Sequence, residues 1–139
     1  MVDKKLAEYL NKAIGMELQV AIQYMWQHII ARGLKSAEIS DKLRKIAVEE
    51  MQHTERLAER LDYLGGTPTT QPEKITVGLE LKKMMELDAK AESDTIKFYK
   101  EALDYCEKLK DPVSKRLFED LLVDEEGHHN FFETMLEGN

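Results

Sequence analysis

Two copies of Glu-x-x-His, Glu50-x-x-His53 and Glu125-x-x-His128, offer the ligand chemistry of a divalent metal. On an α-helix, residues three apart share a face, so each pair aims a carboxylate and an imidazole at one point. With 18 Glu and 4 His in 139 residues, chance alone yields about half a match, so one copy carries no weight. A third match, Glu126-x-x-His129, is out of phase with Phe118, Leu121, Phe132 and Met135, which put Glu125 and His128 on the apolar side. The pairs gain meaning only if further carboxylates meet them inside one fold.

Four long segments with helical periodicity can position them. The first runs from about Lys4 to Arg32 and is closed by Gly33; the second runs from about Ser36 to Leu64 and is closed by Gly65-Gly66. The third spans about Leu79 to Lys108. The fourth starts at Asp111-Pro112, an N-cap followed by proline at the first helical position, and ends near Leu136 with Gly138 beyond. No strand pattern is present. Short links make antiparallel hairpins of the first two and the last two helices. The loop at residues 65–78 holds two prolines and reaches ~46 Å when extended, enough to run the ~42 Å length of such a helix. The chain therefore reads as one all-α domain, residues 1–139: a ferritin-like four-helix bundle with one long crossover between helices 2 and 3.

The core stripes carry the decisive pattern. They read Leu6, Leu10, Ala13, Glu17, Val20, Tyr24; Ile39, Leu43, Ile46, Glu50, His53, Leu57; Leu81, Met85, Asp88, Glu92, Thr95, Tyr99, Ala102; and Phe118, Leu121, Glu125, His128, Phe132, Met135. Glu17, Glu50, Glu92 and Glu125 each interrupt an apolar stripe near the middle of a helix. Buried carboxylates are costly unless paired or metal-bound. Four of them with two neutral imidazoles carry a charge of −4, which two divalent cations balance. The oxygen and nitrogen donors suit iron or manganese, and the absence of thiolate argues against structural zinc. The alternative is a metal-free bundle with buried ion pairs.

Composition narrows the class further. A net charge of −7 with 34% charged residues disfavours nucleic acid and attracts cations. No apolar run is long enough to span a bilayer, and the start MVDKKLAEYL has no apolar signal region. Cys106 is the only cysteine, which excludes an intrachain disulfide and suits a reducing cytoplasm.

Three stretches, GMELQVAIQY around Glu17, VEEMQH around Glu50 and LLVDEEGHH around Glu125, resemble bacterioferritins, and the likeness covers nearly the whole chain. The resemblance implies a ferroxidase that oxidises Fe(II) to Fe(III) with O2 or H2O2 and stores iron in a protein shell. It assigns Glu17 and His53 as terminal ligands of one iron, Glu92 and His128 as terminal ligands of the other, and Glu50 and Glu125 as bridges. Tyr24 matches a tyrosine beside that site; it also reads as a core aromatic whose hydroxyl bonds a ligand.

The resemblance further implies haem shared between two subunits, with Met51 as the axial ligand from each. One residue from Glu50 is a turn of about 100°, which carries Met51 out of the core stripe. A second apolar stripe on the first helix, Leu18, Ile22, Met25 and Ile29, can be buried in such a dimer. The alternative is an interface methionine without a ligand. The family's short fifth helix has no counterpart before Asn139, so a twelve-subunit shell is expected rather than a 24-mer or a plain dimer. Lys45 stands where family members place an iron-relaying histidine, with Glu49 keeping a carboxylate close by.

Other polar residues read more plainly. His28 is expected to be solvated or at an interface, His129 to be exposed, Trp26 to pack at an interface, and Cys106 to be a small buried hydrophobe. Asp88, one turn from Glu92, is expected to support the site or bond between helices. Competing functions are a rubrerythrin-like peroxide reductase, disfavoured by a single cysteine and by Ala89 and Thr95 flanking Glu92, and a non-storage di-iron or haem dimer. A DNA-protecting mini-ferritin is disfavoured because one chain holds all six ligands.

Overall fold

The computed structural model describes residues 1–137; the expected helix stop at Gly138 lies outside them. The chain forms α1 (Lys4–Ile30), α2 (Ser36–Tyr63), α3 (Leu81–Leu109) and α4 (Pro112–Leu136), with no strand among the described residues. The Asp3 carboxylate accepts the Leu6 N–H at 3.0 Å and starts α1. The end of α1 falls two residues before the expected Arg32, because Ala31 leaves helical geometry and Gly33 takes φ +99°.

Asp111 caps α4 as its sequence suggests, accepting the Ser114 N–H at 3.0 Å ahead of Pro112. The same carboxylate receives Arg60 at 3.0 and 3.1 Å and so ties the end of α2 to the start of α4. Burial alone would raise this carboxyl, but hydrogen bonds from Ser114 and Arg60 outweigh it and hold the group below its ordinary range. The start of α3 comes two residues later than expected: Gly78 sits at φ +79°, Leu79 is exposed and Glu80 is extended.

The crossover, residues 64–80, is a strap laid along α1. Asn11 Nδ2 donates to the Thr67 carbonyl at 3.1 Å, and its Oδ1 accepts the Thr69 N–H at 2.7 Å. Farther along, the Glu73 N–H meets the Gly15 carbonyl at 2.9 Å, and Gln27 Nε2 reaches the Val77 carbonyl at 2.8 Å. A Cβ on Gly15 would sit 3.1 Å from Gln71 O and from Glu73 Oε2, a tight approach that glycine relieves where the strap crosses α1. Strap and α1 therefore advance together, and α3 begins at the far end of α1. Paired contacts agree: Gln23–Asp88 and Tyr24–Glu92 lie toward the end of α1 and the start of α3, and Glu17–Tyr99 lies earlier in α1 and later in α3, so the two helices are antiparallel. Likewise His128–Glu49, His53–Asp124 and Arg60–Asp111 run antiparallel between α2 and α4. Helices α2 and α3 are thus parallel, the arrangement a full-length crossover permits.

The core is divided in two. One apolar cluster holds Leu6, Leu10, Ile14, Leu57, Leu61, Phe118 and Leu121; the other holds Val20, Ile39, Leu43, Ile46, Met84, Met85 and Phe132. Glu17, Glu50, His53, Glu92, Glu125 and His128, all buried, lie in the stripes between them. The apolar halves hold the helices in register, and that register sets the height of the polar layer. Leu81 and Met135, at the stripe ends, are only half-buried.

Candidate metal centre

Each helix contributes to the polar layer at its midpoint: Glu17 from α1, Glu50 and His53 from α2, Glu92 from α3, Glu125 and His128 from α4. They form two overlapping groups, Glu17–Glu50–His53–Glu125 and Glu50–Glu92–Glu125–His128. Within each group one ligand atom per residue lies within 4.8 Å of the others. Glu50 and Glu125 belong to both. His53 Nδ1 stands 3.1 Å from Glu17, 3.3 Å from Glu50 and 3.0 Å from Glu125. His128 Nδ1 stands 3.1 Å from Glu50, 3.9 Å from Glu92 and 3.6 Å from Glu125.

Both oxygens of Glu50 and Glu125, Glu92 Oε2 and His128 Nδ1 are buried without an aligned hydrogen-bond partner. Short distances without alignment do not satisfy these atoms. Convergent buried donors left unpaired in this way fit cations rather than a hydrogen-bonded core.

Charge crowding acts on the protons. Burial, followed by the charge of Glu125, pushes the Glu17 carboxyl up to about 7. Burial and the charges of Glu125 and Glu50 raise Glu92 well above its ordinary range. Burial alone would lower the imidazoles, but the surrounding carboxylates prevail: His128 is raised to about 11, and His53 is raised as well. Protons held on these raised groups offset the crowded carboxylate charge; divalent cations at the same place would offset it instead.

The outer ring nitrogens are held by carboxylates that sequence reading does not single out for this purpose. His53 Nε2 meets Asp124 Oδ2 at 2.9 Å, and His128 Nε2 meets Glu49 Oε2 at 2.7 Å. Each carboxylate fixes its ring with Nδ1 facing inward, the usual support of a metal-ligating histidine. Glu49 therefore supports the site directly, while Lys45 is exposed and pairs with Asp41 at 3.1 Å. Only adjacency to Glu125 hints at Asp124 in the sequence.

Two buried tyrosines bond the carboxylates of α1 and α3. Tyr24 Oη donates to Glu92 Oε1 at 2.6 Å, which joins both expectations for that residue, and Tyr99 Oη donates to Glu17 Oε1 at 2.7 Å. Tyr99 reads from sequence only as a core aromatic. Asp88 is buried, accepts Gln23 Nε2 at 2.8 Å, and is pushed up to about 7 by burial. It serves as a helix-to-helix link.

Met51 points outward and is 53% exposed, next to exposed Val48. On α1, Trp26 and Ile29 are exposed, while Leu18, Ile22 and Met25 are half-buried. His28 is less solvated than expected: Ser40 Oγ donates to its carbonyl at 2.7 Å, and its Nδ1 lies 2.9 Å from the Ser40 carbonyl, because the end of α1 packs on the start of α2. His129 is half-buried rather than exposed, beside Glu133 at 3.4 Å. Cys106 is buried as expected, and burial raises its thiol to about 11.

Known proteins share this fold and sequence. The profile described as "Ferritin-like domain" matches residues 7–138. A bacterioferritin of Desulfovibrio desulfuricans is 39% identical over 132 residues, 94% of this chain and 74% of that protein. A bacterioferritin of Rhodobacter capsulatus is 38% identical over 136 residues, 96% of this chain and 84% of that protein. The solved Rhodobacter capsulatus structure, described with a metal-free dinuclear site and haem iron, superposes with a TM-score of 0.90 at 34% identity, covering 97% of this chain and 85% of its own. The Desulfovibrio desulfuricans structure, described with its di-iron site in different catalytic states, gives 0.87 at 38% identity, covering 95% of this chain and 78% of its own. Identity at this level, spread along the entire four-helix fold and joined to a doubled carboxylate–histidine cluster, establishes that the chain belongs to the bacterioferritin family of ferritin-like proteins.

Proposed function

We propose that the protein is a ferroxidase whose substrate is Fe2+. Glu17 and His53 hold one ion, Glu92 and His128 the other, and Glu50 and Glu125 bridge them. The observation that carries this reading is the set of buried carboxylate oxygens at the bundle centre with no hydrogen-bond partner. Two Fe2+ each give one electron to an oxidant, O2 or H2O2, and leave as Fe3+. The protein's part is to hold both ions within reach of one oxidant molecule. Asp124 and Glu49 keep the imidazoles oriented, Tyr24 and Tyr99 orient the terminal carboxylates, and the two apolar clusters exclude bulk water.

Iron storage follows if copies close into a shell, whose acidic character draws in Fe2+. We place the protein in the cytoplasm: it has one cysteine, and no helix among the described residues is long and apolar enough to cross a membrane. Anaerobic protein given Fe2+ and then oxidant is expected to develop ferric absorbance and to load far more than two iron atoms per chain. A plateau at two would refute storage while leaving ferroxidase chemistry intact. Native mass decides between the twelve-subunit shell expected from sequence, a 24-mer and a dimer.

Met51, exposed beside Val48, would hold haem through its thioether if two copies met on this face. Bound there, haem supplies an electron-transfer group for reductive iron release. Met51→Leu is expected to abolish the haem absorption band of reconstituted protein. An unchanged band would remove Met51 as the ligand.

A further inference from the structure

Tyr99 is one end of a run of aromatic rings that leads from the metal centre to the protein surface. Its ring lies 6.4 Å from Phe98, Phe98 lies 5.5 Å from Tyr9, and Tyr9 lies 5.4 Å from Tyr105, all between centroids. Burial decreases along the way: Tyr99 is fully buried, and Phe98, Tyr9 and Tyr105 are half-buried. Tyr9 and Phe98 border a surface groove of about 220 Å³.

Both ends of the run have a place for a phenolic proton. Tyr99 Oη donates to Glu17 at 2.7 Å, and Tyr105 Oη donates to Asp3 Oδ2 at 2.5 Å. Loss of an electron makes a phenol a strong acid, so a tyrosine that must be oxidised reversibly needs a base in hydrogen-bond contact when buried, or access to water when it is not. The other buried tyrosine lacks such an exit: the rings stacked beyond Tyr24 are Phe132, at 5.2 Å, and then Phe131. Phenylalanine has no phenolic proton to release and is far harder to oxidise.

We propose that Tyr99, Tyr9 and Tyr105, with Phe98 packed between the first two, form a relay that carries oxidising equivalents from the metal centre to the surface. The proposal rests on the ferroxidase reading. When H2O2 meets a centre holding two Fe2+, iron supplies both electrons. When it meets a centre holding one, that Fe2+ becomes Fe3+ and the second electron comes from Tyr99. The peroxide O–O bond breaks, and the two electrons, with two protons taken from solvent water, complete two waters. The Tyr99 O–H bond breaks as its proton shifts to Glu17 Oε1. Tyr9, half-buried at the groove, restores the electron to Tyr99 and gives its own proton to water there, while the first proton returns from Glu17 to Tyr99. Tyr105 then restores Tyr9, which regains a proton from water, and the Tyr105 proton passes to Asp3. A soluble one-electron reductant at the surface returns Tyr105 to the phenol. The relay thus draws damage away from the buried ligands.

The test uses the full chain, loaded anaerobically with one Fe2+ per chain and treated with H2O2 beside a nitroso spin trap; adducts are mapped by peptide mass spectrometry. Expected is a trap adduct on Tyr105, lost in Tyr99→Phe and in Tyr9→Phe. Each substitution keeps the ring and removes only the phenol oxygen, and Tyr9→Phe carries the test if Tyr99→Phe fails to fold. A Tyr105 adduct that persists in both variants, or adducts confined to Tyr24, would overturn the relay. Ferric absorbance is read in the same samples. If it forms without Tyr105 labelling, the relay alone is wrong; if it does not form, the ferroxidase reading fails and the relay falls with it.

Discussion

Glu50→Ala is expected to slow ferric formation by more than ~100-fold, since loss of even a supporting partner of a metal ligand typically costs 10–100-fold. Glu50 is fully buried, belongs to both ligand groups, and has no aligned hydrogen-bond partner for either oxygen. Its loss removes a donor from each ion at once, so stoichiometry is expected to fall as well as rate. Titration with Co2+, a spectroscopically visible and redox-stable stand-in, is expected to saturate at two ions in the wild type and below two in the variant. Asp124→Ala is a graded comparison: it frees His53 Nε2 but leaves every inner donor, so the loss is expected at ~10–100-fold. Wild-type rate and stoichiometry in Glu50→Ala would remove this carboxylate from the centre.

The second large effect is metal-dependent stability. A ligand that binds only the folded state at 100 times its Kd adds about 2.7 kcal/mol per site, so two sites add ~5 kcal/mol. For a chain of this size that is a rise of ~15–20 °C in melting temperature. The gain should depend on pH, with a definite sign. In the metal-free protein, Glu17 is raised from 4.5 to about 7 and His128 from 6.5 to about 11. A raised folded-state value contributes stability that is complete below the unfolded value and disappears as pH rises through the folded one. The Glu17 contribution is therefore lost between about pH 4.5 and 7, and that of His128 between about pH 6.5 and 11.

Metal-free protein should consequently melt lower as pH rises from 5 to 8. Metal affinity moves the opposite way, because the ligands must first lose their protons. The gap between metal-loaded and metal-free melting temperatures is expected to widen with pH, and metal addition at constant pH should release protons measurable by pH-stat. Glu17→Gln, which cannot ionise, is expected to flatten the low-pH part of the metal-free profile. A Co2+ shift that is equal at pH 5.5 and 8, with no proton release, would show that the cluster is not the binding site.

Reading the sequence placed Glu17, Glu50, His53, Glu92, Glu125 and His128 together without knowledge of any contact. That is possible because an α-helix converts residue number into both face and height. A carboxylate in phase with leucines must point inward, and four at mid-helix must share a level if the helices run full length side by side. The crossover was legible for a related reason: a loop with two prolines, long enough to span the bundle, dictates which helices run parallel. The helix ends were less legible. Ala31 and Leu79 end or delay helices through backbone geometry at neighbouring glycines, and nothing in their side chains signals it.

Helical phase thus determined the fold class and the six converging side chains, because it is a property of each helix alone. Only the tertiary structure decided which atoms face which. The inward Nδ1 of both histidines, the hold of Asp124 and Glu49 on their outer nitrogens, the Tyr99–Glu17 bond and the contacts of the Tyr9 ring with Phe98 and Tyr105 all join side chains from different helices. Such contacts depend on the offset between helices and on rotamers selected by packing. Neither is a function of sequence spacing within a single helix, so they appear only once the two apolar clusters lock the bundle into register.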